Sequence, residues 1–207
     1  MTDPEQTRLT RRTLAALAAA SAAAALAPAT GRAQEVIATL PSTPECDDGD
    51  DAPTPRQTEG PYFSPDSPER ADLREPGVAG APLRLRGYVL TTDCEPITGA
   101  LMEFWQADDA GAYDNEGYRL RGHQFTDEAG RWDLATIVPG LYPGRTRHVH
   151  VRVQPPGGDL LVTQLYFPDV PENANDFIFD PALLVEPDAD ATAAGDELAA
   201  RFDFVLA

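Results

Sequence analysis

Two of the three histidines in this chain, His148 and His150, stand one residue apart in RTRHVHVRV, a run that alternates like a strand. On a strand, residues i and i+2 point to the same face. Both imidazoles therefore project to one side while Val149 and Val151 project to the other. Such a pair can give two nitrogens to one metal ion, or can simply decorate a solvated strand. Two tyrosines sit on loops rich in Gly, Pro or Asp: Tyr142 in VPGLYPGR and Tyr113 in WQADDAGAYD. A phenol on such a rim can pack and make a local hydrogen bond. It can also ionise onto a hard, highly charged ion such as Fe³⁺, which pulls its pKa far below about 10. No Asp or Glu lies between Ala135 and Gly158, so a carboxylate ligand would have to come from elsewhere. Asp108, Asp109 and Asp114 are candidates, and would complete the two-histidine, one-carboxylate set of non-haem Fe(II).

The elements that must position these groups are short and β-like. Alternating runs occur at Leu83–Thr91, Ala100–Gln106, Arg119–Thr126, Arg131–Ile137, His148–Val153, Leu160–Phe167 and Arg201–Val205. Gly- and Pro-containing turns separate them, among them DCEPITG and DEAG, and DEAG is expected to close a short hairpin. The best helical candidate is the alanine-rich stretch Ala191–Ala200. This pattern predicts an all-β protein, an antiparallel β-sandwich with long loops carrying the site and little helix.

The N-terminus frames the domain. Arg11-Arg12 precedes an alanine-rich apolar run, Thr13–Ala27, too short and too weakly apolar to span a bilayer comfortably. Gly31-Arg32-Ala33 then suits signal peptidase, so residues 1–33 read as a secretory signal cut near Ala33. The paired arginines resemble a twin-arginine signal, which implies export of an already folded protein. The alternatives are an ordinary secretory signal or a retained anchor. Residues 34–57, with the cluster CDDGDD, read as an extended acidic, Pro-rich tail, and 58–207 as one domain.

The whole chain carries 16 basic and 34 acidic residues, for a net charge of −18. Without the leader's four arginines and two acids, 12 basic residues face 32 acidic ones, and every basic residue is arginine. That surface repels nucleic acid and anionic lipid, so neither is an expected partner, and no stable membrane insertion is expected after signal cleavage. The two cysteines, Cys46 and Cys94, are too far apart for a metal-ligand pair; in an exported protein they can close a disulfide, or remain two unrelated thiols.

Several longer motifs occur in order. They are TEGPYF (Thr58–Phe63), GYVLTTDCEPITGALMEFWQADDAGAYD (Gly87–Asp114), RGHQFTDEAGRWDLATIVPGLYPGRTRHVHVRV (Arg121–Val153) and TQLYF (Thr163–Phe167). Together they resemble the intradiol ring-cleavage dioxygenases, the non-haem Fe(III) family that includes protocatechuate and catechol dioxygenases. Ahead of Thr58 no long helical segment of the kind catechol dioxygenases use to dimerise is evident. The chain is thus more similar to a protocatechuate dioxygenase subunit or a short exported relative, and a homo-oligomer is left open.

The resemblance implies one ferric ion per site, held by Tyr113, Tyr142, His148 and His150. It implies cleavage of a catechol-type diol by O₂ between its two hydroxyl-bearing carbons, giving a muconate-type diacid in the catabolism of aromatic compounds. Tyr142 would leave the ion as substrate binds and take up a proton. Arg145, in the R-x-x-H-x-H pattern, would hold the ketonised ring and stabilise developing negative charge. Gln164 matches a position beside the substrate pocket. Arg147 and His123 carry no family role and read as a surface arginine and a strand histidine. Two other readings remain: extradiol cleavage on Fe(II), and a binding or adhesion module with a transthyretin-like sandwich.

Overall fold

The computed structural model describes residues 52–188 and 198–207. Residues 1–33, Cys46 and most of the acidic tail lie outside the described residues. Among the described residues nine strands run in chain order: β1 (Pro82–Thr91), β2 (Leu101–Trp105), β3 (Arg121–Phe125), β4 (Arg131–Ile137), β5 (His148–Gln154), β6 (Leu161–Tyr166), β7 (Glu186–Pro187), β8 (Leu198–Arg201) and β9 (Phe204–Leu206). They form two layers, one ordered β3-β2-β5-β6 and the other β4-β1-β8-β7 with β9 also on β1. Helix among the described residues is confined to two 3-10 turns, Pro171–Asn175 and Pro181–Leu183. The expected sandwich is what the chain builds.

Alternation explains the packing. From the first layer Met102, Phe104, Val149, Val151, Val153 and Leu165 point inward, and from the second Leu83, Leu85, Val89, Trp132 and Leu134 meet them. All of these are 3% exposed or less. The residues between them on β2, β5 and β6 must point to the outer face of the first layer.

Four local expectations differ from the structure. DEAG does not close a hairpin, because β3 pairs with β2 and β4 with β1, so the turn carries the chain from one layer to the other. Its internal bonds are those of a tight turn: the Asp127 carboxylate accepts N–H bonds from Ala129 and Arg131 at 2.8 and 2.9 Å. Those bonds form equally well whichever sheet receives the next strand, so local chemistry could not tell the two apart.

The alanine-rich helix is absent where the chain is described. Residues 191–197 lie outside the described residues, but Leu198–Arg201 is strand, paired in parallel with β1 from Leu83 to Arg86. Backbone pairing with a long partner strand outweighs the helical preference of alanine.

The sheet is also not wholly antiparallel, because β9 likewise runs parallel to β1. Its register sets Val89 against Phe204, Leu90 against Val205 and Thr91 against Leu206. The single run expected at Arg201–Val205 is therefore split between the end of β8 and the start of β9. At that junction the carbonyl of Phe202 closes over Gly87, where a Cβ would lie 1.9 Å from the oxygen, so only glycine fits.

The described end of the tail is extended and bound to the domain. Thr54 N–H donates to Val205 O at 2.9 Å and Gln57 N–H to Val162 O at 2.7 Å. Cys94 is disulfide-bonded; its expected partner, Cys46, lies outside the described residues.

Candidate active site

The outer face of the first layer carries a row of four residues, one from each strand. Arg121 pairs with Trp105, Trp105 with His150, and His150 with Gln164, while His148 pairs with Tyr166 in a neighbouring row. Directly opposed residues on neighbouring strands share a face, so sheet register alone brings these groups together. All six are buried, because three loops cover them. One loop is Thr58–Phe63, the second follows β2 and carries Tyr113, and the third follows β4 and carries Tyr142.

His148 Nδ1 lies 2.7 Å from Thr146 O. A carbonyl only accepts, so Nδ1 carries the proton and Nε2 presents a lone pair. That lone pair faces Tyr113 Oη at 3.1 Å and His150 Nε2 at 3.2 Å. Trp105 stacks on the His150 ring, with centroids 4.7 Å apart and planes at 5°. Gly60, at φ +72°, brings its backbone against His150, where a Cβ would lie 3.4 Å from Cε1. His150 Nδ1 is buried with no hydrogen-bond partner among the described residues.

The phenols form a cluster of their own. Tyr62 stacks on Tyr113 at 4.5 Å and its hydroxyl meets that of Tyr142 at 2.7 Å. Tyr142 stands edge-on to Tyr113, with centroids 5.9 Å apart. Behind them, the buried Arg121 guanidinium donates to the Tyr62 and Asp114 carbonyls. The Asp114 carboxylate accepts N–H bonds from Arg119, Gly117 and Glu116, which hold it at a pKa of about 2 and lock the turn that follows Tyr113.

Arg145 is clamped. Its Nε donates to Asp176 at 2.8 Å, and one terminal nitrogen donates to Gln164 Oε1 at 2.6 Å and Tyr166 Oη at 3.2 Å. The other, Nη1, has no protein partner among the described residues. Burial would raise the Asp176 carboxyl, but N–H bonds from Thr146 and Ile178 and the Arg145 charge more than offset it and hold it low.

At the two histidines and Tyr113 burial is the largest cause of the shifted pKa. It lowers His148 to about 4 and His150 well below its ordinary range, and it raises Tyr113 above its ordinary value despite the nearby Arg145 and Arg121 charges. Both imidazoles are thus neutral ligand-type bases at neutral pH, and Tyr113 gives up its proton only to a strongly polarising cation.

The arrangement fits a metal ion. Two donors each about 2.1 Å from one ion and roughly at right angles stand about 3 Å apart, as His148 Nε2 does from both His150 Nε2 and Tyr113 Oη. The carbonyl bond on His148 is the usual support of a ligating imidazole. Among the described residues no third His, Cys, Asp or Glu joins the histidine pair, which leaves the carboxylate of the Fe(II) alternative without a source there.

Residues 58–207 match the family Dioxygenase_C, described as dioxygenase. The chain belongs to the intradiol ring-cleavage dioxygenases. It is similar to the dioxygenase domain of a dioxygenase–carbohydrate-binding protein fusion from Streptomyces sp. SirexAA-E, with 55% identity and a TM-score of 0.71, covering 75% of this chain and 98% of that one. It is also similar to 3-chlorocatechol 1,2-dioxygenase from Rhodococcus opacus 1CP, with 27% identity, a TM-score of 0.68 and coverage of 85% and 78%. Catechol 1,2-dioxygenase of Candida albicans is 30% identical over 58% of this chain, and the match spans 49% of that protein's length.

Of the residues singled out in the sequence, Tyr113, His148 and His150 converge directly, Tyr142 joins them through the phenol cluster, and Arg145 and Gln164 are hydrogen-bonded to each other. Arg147 is half-buried and donates to Pro139 O at 2.8 Å, bracing the Tyr142 loop. His123 lies away from the site and bonds Ser67 O at 2.7 Å. Sequence reasoning missed Tyr62, Trp105, Arg121, Tyr166 and Asp176. Tyr62 was visible inside TEGPYF, whereas nothing near Asp176 in sequence pointed to the site.

Proposed function

We propose that this protein cleaves a catechol-type diol by the intradiol route, using O₂ at one ferric ion held by Tyr113, Tyr142, His148 and His150, and yields a muconate-type diacid. The observation that carries the proposal is the meeting of Tyr113 Oη and His150 Nε2 with His148 Nε2, each within 3.2 Å, beside Tyr142 and Arg145. Such an ion, when bound, supplies the Lewis acidity that ionises the diol and draws electron density from its ring.

The protein's own groups do the rest. Tyr142, ionised as a ligand would be, is the base that can receive a proton from the diol and become a neutral phenol, with the Tyr62 hydroxyl hydrogen-bonded to its oxygen. Arg145, held on one edge by Asp176 and Gln164, presents Nη1 as a fixed cation for negative charge developing on the ring oxygens. Trp105, lying flat on His150, covers that imidazole from one side and keeps water off it. We further propose export through the twin-arginine signal, which rests on Arg11-Arg12 and the apolar run after them.

The test is an absorption spectrum of the purified, iron-loaded protein before and after anaerobic catechol, followed by product analysis in O₂. A visible tyrosinate-to-iron band that shifts with catechol, and a ring-opened diacid, are the expected results. A protein that stays colourless after ferric iron is supplied would overturn the ligand set.

A further inference from the structure

We infer that the site selects catechols whose ring substituents are uncharged, and that Glu172 sets this selection against a ring carboxylate, an inference that rests on the function proposed above. A cavity of about 380 Å³ and another of about 310 Å³ flank the phenols. Tyr113 lines the larger; the smaller is lined by both Tyr142 and Arg145, the cation proposed to face the reacting ring. Its size stands at the low end for small-molecule sites, enough for one ring and a short substituent.

Charge decides what that substituent can be. Leu141, Pro143 and Gly144 give the smaller cavity an apolar side, and its charged lining is Arg145, Asp176 and Glu172. Asp176, with its side chain fully buried, already neutralises Arg145 at 2.8 Å. Glu172, at the start of the 3-10 turn Pro171–Asn175, therefore leaves the lining one charge negative. The larger cavity is no more welcoming, with Asp108, Asp114 and Glu116 against Arg119. Arg121 is committed to the Tyr62 and Asp114 carbonyls. With Arg145 Nη1 assigned to the ring oxygens, a ring carboxylate would lose water without gaining a further cation, and would meet a like charge at Glu172. A hydrogen, alkyl or chloro substituent meets neither cost.

The experiment compares 4-methylcatechol with 3,4-dihydroxybenzoate on the iron-loaded full chain. It measures kcat/KM for both, and anaerobic binding of each by the shift of the visible band, at low and high salt. We expect 4-methylcatechol to be favoured at least about tenfold in both measurements. The preference should shrink with added salt and in Glu172→Gln, and shrink further in Glu172→Arg. Equal or better binding and turnover of the carboxylated diol would overturn the inference while leaving the proposed function standing. So would a preference that neither Glu172 variant moves. If neither diol shifts the band or is cleaved, the proposed function fails and the inference falls with it.

Discussion

The arginines of the second layer and the central row of the first meet different kinds of partner. On the second layer Arg84, Arg86 and Arg201 each meet a carboxylate. Arg84 bonds Asp133 at 2.6 Å, Arg86 bonds Asp188 at 2.7 Å, and Arg201 bonds Asp203 at 3.0 Å. On the first layer the central row, Arg121–Trp105–His150–Gln164, contains no carboxylate. Arg121 donates to carbonyls, and the buried Trp105 Nε1 and His150 Nδ1 have no partner among the described residues. Unmet polar groups under a protein surface cost free energy unless something satisfies them. The ion pairs of the second layer hold the fold together, and the central row of the first keeps groups in reserve for a ligand.

Four measurements test that contrast. The largest effect is expected from His148→Ala. Removing a ligand-type nitrogen should cut ring cleavage by at least about a thousandfold, and iron content by mass spectrometry should fall with it. Thermal stability of the metal-free protein should change little, since the lost carbonyl bond is offset by relief of a buried polar ring. A large drop in its melting temperature would mean the first layer is structural too.

Asp188→Asn is the converse. It leaves Arg86, 6% exposed, buried beside a neutral partner, which should cost about 3 kcal/mol of stability in denaturant unfolding. Cleavage by the folded protein should not change, because this pair belongs to the layer opposite the site. A loss of activity at full stability would break the division between layers.

Acid should act on the first layer through His148. Burial lowers its folded pKa to about 4 from the ordinary 6.5, so between these values the unfolded chain binds a proton that the folded chain refuses. The stability tied to neutral His148 is complete above pH 6.5 and falls away as the pH drops toward 4, by roughly 3 kcal/mol in all. His150 adds in the same direction. Urea titrations of the chelator-treated protein at about pH 7 and about pH 4.5 check this, and equal midpoints would count against neutral, buried imidazoles.

The smallest effect is expected from Gly60→Ala. The residue's positive φ makes a side chain unfavourable by about 1 kcal/mol, and the added methyl would only touch His150. A modest loss in unfolding midpoint with iron still bound is the expected outcome. Loss of iron from this variant would show that the covering loop, and not the sheet, holds the imidazole in place.

Much of the molecule was determined by the sequence alone. Period-two alternation located β1 to β6 to within a residue or two, and the i, i+2 spacing of His148 and His150 put both imidazoles on one face whatever the partner strands. The motifs around Tyr113, Tyr142 and Arg145 carried the family. What tertiary structure decided is which strands became neighbours and what was left over. DEAG crosses between layers because β4 finds its partner in β1, and Leu198–Arg201 is strand because the other side of β1 accepts it. Asp176 reaches Arg145 from 31 positions away, and Arg121 comes under Tyr113 through sheet register. These are pairings between segments distant in the chain, and local propensity holds no information about them; they are set by the burial and hydrogen bonding of the assembled layers.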